Sequence, residues 1–90
     1  MIQRRVVVSG RVQGVGFRAA TSLEASRYHK LCGYVRNLPN GAVEAVFAGD
    51  ENVVLSLVSW CKTGPSAARV THLEVYEELF DSTLSTFLVR

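Results

Sequence analysis

The residues best suited to chemistry lie between Gly10 and Arg18, where the chain reads Gly-Arg-Val-Gln-Gly-Val-Gly-Phe-Arg. Its three glycines allow tight backbone turns with positive φ, so that several N–H groups can point into one concavity. The start of a following helix would add unpaired N–H groups and a partial positive charge. Arg18 would supply a planar cation whose donors match the oxygens of a phosphate or a carboxylate. The segment therefore predicts a small anion site, although many glycine-rich turns are only turns.

A second polar position is Asn37, in the segment Gly-Tyr-Val-Arg-Asn-Leu-Pro-Asn-Gly of residues 33–41. Its amide is neutral at every relevant pH, with an oxygen that accepts hydrogen bonds and an NH₂ group that donates them. Asparagine is also common before turns for local hydrogen bonding alone. Arg36 is predicted to point to the opposite face of its strand as a solvated charge, whereas alternation leaves open which way Arg11 points.

The spacing of apolar residues predicts the elements that would position these groups. A valine-rich strand leads into the glycine-rich loop (residues 13–17), and a helix follows the loop. Asp50 and Gly64-Pro65 mark the start and the end of a second helix, and a change of apolar phase between Val70 and Leu73 indicates a bulge. The predicted strands cover residues 5–12, 33–38, 42–48, a stretch around 70–75, and 83–89, and the first helix covers 18–29.

The order of these elements is β-α-β-β-α-β with an additional strand at the C-terminal end. This order is typical of the α+β class, and specifically of the ferredoxin-like split β-α-β sandwich. We expect an antiparallel sheet of four to five strands, with both helices on one face and the other face open to solvent. Residues 1–90 are predicted to form one domain.

Composition excludes several classes of protein. Apolar residues make up 48% of the chain and charged residues 20%, which is typical of a compact globule, and the net charge of +2 does not favour nucleic acid. No apolar run approaches the roughly 20 residues of a membrane span, and no signal peptide is recognisable, so we expect a cytoplasmic protein. Cys32 and Cys61 are predicted to be free core thiols, and His29 and His72 have no catalytic partner at a suggestive spacing.

Residues 8–18 and 33–41 closely resemble the two signature segments of the acylphosphatase family. Gly64-Pro65 and the stretch Phe87-Leu88-Val89-Arg90 also resemble that family, so the similarity runs along the whole chain in order. The first segment lacks the spacing of a dinucleotide fingerprint and the Lys-Ser/Thr ending of a nucleoside-triphosphate loop. Two departures stand out. The run from Tyr28 to Gly33 is one residue longer than usual, and it lacks the glycine that usually ends the first helix.

This resemblance implies hydrolysis of a carboxyl–phosphate anhydride to a carboxylate and inorganic phosphate, with no metal, cofactor or covalent intermediate. It implies that Arg18 binds the phosphoryl group and that Asn37 holds the attacking water. It also implies that the terminal carboxylate of Arg90 pairs with Arg18. The expected partners are small acyl phosphates and inorganic phosphate, without nucleic acid or membrane, and the expected state is a monomer. The phosphate-binding residues that it implies are Gln13, Gly14, Val15, Gly16, Phe17 and Arg18.

Two alternatives and one question of geometry stay open at this stage. The chain could be a non-catalytic module that binds phosphate or acyl phosphates, or an RNA-binding domain of the same fold. The RNA reading would need exposed aromatic residues on the sheet, where the central strands carry valines. Without its usual glycine the first helix must end otherwise, through a left-handed residue at His29 or an extra turn, which leaves the separation of Arg18 and Asn37 undetermined.

Overall fold

The computed structural model describes all residues from Met1 to Arg90. Its five strands form one sheet in the order β4-β1-β3-β2-β5, which confirms the ferredoxin-like fold. The sheet is mixed rather than antiparallel, because β5 pairs with β2 in parallel. The chain reverses after β4 and enters the far edge of the sheet in the direction of β2. The elements are β1 (Ile2–Arg11), α1 (Phe17–Ala25), β2 (Cys32–Asn37), β3 (Val43–Gly49), α2 (Glu51–Cys61), β4 (Arg69–Glu78) and β5 (Phe87–Val89).

Helix α2 packs its predicted apolar stripe against the sheet. The Asp50 carboxylate accepts hydrogen bonds from the N–H groups of Asn52 (3.1 Å) and Val53 (3.4 Å), so it caps the helix as predicted. After the helix, Gly64 takes a positive φ of 64° and donates its N–H to the oxygen of Trp60 at 2.9 Å. Neither helix of the protein is long and apolar enough to cross a membrane. The buried stripe consists of Val54, Leu57, Val58 and Cys61.

The face of the sheet opposite the helices is less open than expected. All seven residues of β3 are buried, including Glu44, which is 6% exposed. Arg36 donates its Nε–H to Glu44 at 2.7 Å, and Arg5 Nη1 lies 3.6 Å from the same carboxylate. Arg36 therefore points to this face and is exposed as predicted, and it also forms an ion pair with Glu44. Burial raises the pKa of the adjacent Tyr34, and the charge of Glu44 raises it further.

Helix α1 ends earlier than predicted, at Ala25 instead of residue 29. The N–H of Ser26 closes the helix on the oxygen of Ser22 at 3.0 Å, and turns follow. Because the usual glycine is absent, another residue must take the left-handed conformation. That residue is Lys30, with φ 63°, and not His29. This conformation reverses the chain immediately before Leu31, which is buried in the core. The extra residue therefore lies in the turns between α1 and β2.

The predicted bulge in β4 is confirmed, whereas the last strand is shorter than predicted. Ser9 pairs with His72 but Gly10 pairs with Val70, so Thr71 is the extra residue. Strand β5 covers only Phe87–Val89 instead of 83–89. The N–H and the hydroxyl of Thr83 both donate to Asp81 Oδ1, at 2.9 and 2.6 Å, and this local turn keeps Thr83 out of the strand.

We expect Gly33→Ala to be among the most destabilising single substitutions in the sheet. Gly33 has φ 138°, and an added Cβ would lie 1.8 Å from the backbone oxygen of Val46. The clash and the backbone strain together should lower the free energy of unfolding by about 3 kcal/mol or more. Gly41→Ala is the matched control, since Gly41 has φ 93° but open space around it. Urea unfolding should give a loss of about 1 kcal/mol there. Equal losses would contradict the clash.

Candidate active site

Arg18 and Asn37, which come from different signature segments, line one cavity of about 500 Å³. The cavity lies at the end of the sheet where β1 leads into α1 and where β2 stops. The extra residue before β2 therefore does not separate the two predicted catalytic residues. The remaining lining residues belong to the position after β1, the glycine-rich loop, α1 and β5, and they are Val12, Gly14, Gly16, Phe17, Ala19, Ser22 and Val89.

The glycine-rich loop has the backbone that an anion site needs. Gly14 and Gly16 have φ 73° and 79°, in the left-handed region that favours glycine. A Cβ at either position would meet no atom within 4 Å, so the space beside the loop is free. Gly16 is also the N-cap residue of α1, and no side chain caps this helix. The first N–H groups of α1 therefore remain available to an oxyanion.

Phe17 fixes the start of α1 in the core and thereby sends Arg18 outwards. The Phe17 ring is buried and packs against Trp60, with ring centroids 5.5 Å apart. The Thr21 hydroxyl donates to the oxygen of Phe17 at 2.7 Å, one turn along the buried side of the helix. Successive helix residues point about 100° apart, so the residue after Phe17 faces the cavity and solvent.

The guanidinium of Arg18 is held by the backbone of Arg90, the residue that follows β5. Its Nη1 donates to the backbone oxygen of Arg90 at 3.0 Å, so the predicted contact between these two residues is seen at that oxygen. Arg90 is itself fixed to β2, because its N–H donates to Val35 at 2.8 Å and its guanidinium lies 4.0 Å from the ring centre of Tyr34. One donor of Arg18 is used in this way, and the others are free for a ligand.

Gln13 has a role that the sequence did not reveal. Its Nε2 donates to the oxygen of Leu38 at 2.8 Å and to the oxygen of Ala42 at 2.9 Å. These two oxygens lie in the turn that follows Asn37, so the side chain joins the glycine-rich loop to the second signature segment. Gln13 and Val15 do not line the cavity, and Val15 packs against the core instead. No local sequence pattern indicates such a long-range contact.

The other candidate residues lie elsewhere. Arg11 lines a separate cavity, and His29 and His72 are exposed and do not line the active-site cavity. Cys32 and Cys61 are free thiols, and burial raises the pKa of Cys61 to about 12, which keeps it protonated. No three His, Cys, Asp or Glu side chains are grouped so that they could hold a metal ion. The candidate site therefore consists of one arginine, one asparagine and backbone donors.

Comparison with known proteins gives the family. A family model described as Acylphosphatase matches residues 4–89. The acylphosphatase of Syntrophus aciditrophicus (strain SB) is 51% identical over 84 residues, which cover 93% of this chain and 86% of that protein. The crystal structure of acylphosphatase from Bacillus subtilis has a TM-score of 0.92 at 39% identity, covering 100% of this chain and 99% of its own.

A similar region also occurs within a larger protein. The crystal structure of HypF from T. kodakarensis matches all of this chain with a TM-score of 0.83 at 30% identity, but the match covers only 12% of that protein. The relatives that match over most of their own length carry the name of the family instead. The predicted resemblance and the predicted hydrolase class are confirmed, and the chain belongs to the acylphosphatase family.

Proposed function

We propose that residues 1–90 act as one acylphosphatase domain, which hydrolyses small acyl phosphates to a carboxylate and inorganic phosphate in the cavity beside the glycine-rich loop. The observation that supports this site best is that Arg18 and Asn37, from separate segments, line the same cavity. The names of the relatives support the type of reaction. The reaction needs a site for a phosphoryl group and a site for water, and these two residues can supply them.

The phosphoryl group binds to Arg18 and to backbone N–H groups of the glycine-rich loop, residues 13–17. Two equatorial oxygens accept hydrogen bonds from the guanidinium, and loop N–H groups meet the third. Because the contact with Arg90 already orients the guanidinium, little reorganisation is required when substrate arrives. A loose phosphoryl-transfer transition state depends mainly on such positioning and charge stabilisation.

Asn37 positions the attacking water. Its amide oxygen accepts a hydrogen bond from the water, and its NH₂ group donates to a phosphate oxygen. The carboxylate leaving group departs without a proton, so the site needs no strong general acid. We assign the proton of the water to a phosphate oxygen of the substrate, since no histidine or carboxylate lines the cavity.

The site contacts the phosphate and the water, and it makes few demands on the acyl group. We therefore propose broad use of small acyl phosphates, with inorganic phosphate as product and inhibitor. We further propose a cytoplasmic monomer that works without a metal, a cofactor, nucleic acid or a membrane.

The test is steady-state hydrolysis of benzoyl phosphate, followed in the ultraviolet with a chelator present and with phosphate as inhibitor. Turnover that survives the chelator and is inhibited competitively by phosphate would support the proposal. A folded chain that binds phosphate without turnover would favour the non-catalytic binding module. That alternative has one observation in its favour, the occurrence of a similar region inside HypF.

We expect the pH–rate profile to be shallow between about pH 5 and 8. Neither histidine lines the cavity, and none of the groups with a shifted pKa does so either: Tyr34, Arg36, Cys61 and Asp81. The measurement is kcat/KM for benzoyl phosphate against pH, for the native chain, His29→Ala and His72→Ala. A steep limb near pH 6.5 that disappears in either variant would make a histidine the base and overturn the proton assignment.

Gln13→Met should lower kcat by about 10- to 100-fold, because it removes both hydrogen bonds that hold the glycine-rich loop against the turn after Asn37. Gln3→Met is the matched control. The side chain of Gln3 also makes two hydrogen bonds, one with Glu78 and one with the backbone of Asp81, and it does not line the cavity.

A double-mutant cycle separates positioning from simple destabilisation. In an Asn37→Ala background, Gln13→Met should change kcat by less than about twofold, since the water that it helps to position is no longer held. An equal loss of kcat in both backgrounds would mean that Gln13 acts on the loop alone.

A further inference from the structure

Arg11 and Arg69 stand directly opposite each other in the antiparallel pairing of β1 and β4. Both line a cavity of about 550 Å³ that is separate from the active site. Like charges at directly opposed positions of a sheet repel, so this arrangement is destabilising on its own. The remaining residues of this cavity are Ser66, Ala67, Ala68, Val70 and Thr71.

Neither of these two guanidiniums has an acidic partner within 4 Å, whereas four of the eight arginines of the chain do. Arg4, Arg5, Arg27 and Arg36 each pair with a glutamate. Arg18 donates to a backbone oxygen, and Arg90 lies over the ring of Tyr34. The two cations of the second cavity therefore lack the compensation that the other arginines have.

The bulge in β4 places the two arginines together. Before the bulge Ser9 pairs with His72, and a regular continuation of that register would place Val70 opposite Arg11. The extra residue, Thr71, shifts the register so that Arg69 takes this position. Bulges commonly re-aim side chains beside binding sites, and they interrupt the ladder of hydrogen bonds at some cost.

Gly10 permits this close approach of the two strands. Its φ is 121°, and a Cβ at this position would lie 2.2 Å from the backbone oxygen of Arg69. The bulge at Thr71 and the glycine that faces it thus bring two unpaired cations together. The arrangement is explained if an anion binds between them.

We propose that Arg11 and Arg69 form a second oxyanion site, which takes a carboxylate or phosphate group between the two guanidiniums with the Ser66 hydroxyl as a further donor. Guanidinium groups bind these oxyanions through paired hydrogen bonds, and the bound charge removes the repulsion. The site adjoins the active site along the chain, because Val12, the residue after Arg11, lines the catalytic cavity. The oxyanion is either a second acid group on the acyl part of a substrate or a free anion.

Titration of the intact chain with inorganic phosphate tests the site independently of catalysis. In ¹H–¹⁵N spectra we expect saturable shifts at the amides of residues 66–71, in addition to shifts at the glycine-rich loop. Arg11→Gln/Arg69→Gln should abolish the first set and keep the second. Arg27→Gln/Lys30→Gln removes the same charge elsewhere and should keep both sets. Absence of shifts at 66–71 in the native chain, or their survival in Arg11→Gln/Arg69→Gln, would overturn the proposal.

A kinetic comparison identifies the source of the oxyanion, and this step rests on the proposed function. Succinyl phosphate carries a free carboxylate at the far end of its acyl group, whereas butyryl phosphate has an acyl chain of equal length without one. If the substrate supplies the oxyanion, Arg11→Gln/Arg69→Gln should lower the ratio of kcat/KM values for these substrates by about tenfold. If a free anion binds, the ratio stays unchanged while the phosphate shifts at 66–71 are still lost. Turnover of butyryl phosphate, which does not use this site, tests the proposed function separately.

Discussion

Arg18→Ala is expected to lower kcat/KM for benzoyl phosphate by about 10³-fold or more, the largest effect of any substitution considered for this protein. The guanidinium is the one side-chain cation that lines the active-site cavity. It would neutralise charge that spreads over the phosphoryl oxygens in the transition state. Competitive inhibition by inorganic phosphate should weaken in the same variant, because the ground state uses the same donors. Steady-state kinetics with and without phosphate measures both effects.

Arg27→Ala is the matched control for Arg18→Ala. Arg27 follows the end of α1, is exposed, and has only a 3.9 Å contact with Glu24. Its removal changes the net charge by the same amount without touching the cavity, so kcat/KM should stay within about twofold of the native value. Arg18→Lys should recover little activity, since an ammonium group cannot hold two oxygens with a fixed planar geometry. Full activity in Arg18→Ala would exclude this cavity as the catalytic site.

Asn37→Ala is expected to reduce kcat by about 10²- to 10³-fold, as for the loss of one preorganised donor at a reacting centre. Inhibition by phosphate should weaken far less than kcat falls, because Arg18 and the glycine-rich loop still bind the anion and only the one hydrogen bond from the Asn37 NH₂ group is lost. This separation of kcat from phosphate affinity would distinguish a residue that holds water from one that holds phosphate. It is measured from kcat and from the inhibition constant of phosphate in the same series of assays.

Asn52→Ala gives the control for Asn37→Ala, since Asn52 is an exposed asparagine in α2 that does not line the cavity. Its kcat should equal that of the native chain. If Asn37→Ala weakened phosphate inhibition and kcat in parallel, Asn37 would belong to the phosphate site. If both variants were fully active, another group would have to hold the water.

Most of the fold could be predicted from local patterns. The Asp50 cap, the buried stripe of α2 and the bulge at Thr71 depend on residue types at fixed spacings, and such patterns act over a few residues. The predictions were wrong where contacts between residues far apart in the chain determine the local structure. Helix α1 stops at Ala25, and Lys30 takes the left-handed turn, because Leu31 must reach the core. The sheet is mixed because β5 does not pair with β4, which precedes it in the chain, but pairs in parallel with β2 at the opposite edge.

The sequence by itself determined the composition of the candidate site. The glycines of the loop, Arg18 and Asn37 lie in two contiguous segments. The loop and Arg18 indicate an oxyanion site by their residue types, and the resemblance of the second segment implies a water held by Asn37. Only the tertiary structure decided how these parts meet. In it, Arg18 donates a hydrogen bond to the backbone oxygen of Arg90, and Gln13 joins the loop to the turn after Asn37. The strand register places Arg11 opposite Arg69. These contacts join residues that are far apart in the chain, so they depend on strand order and register, which no local spacing of residues encodes.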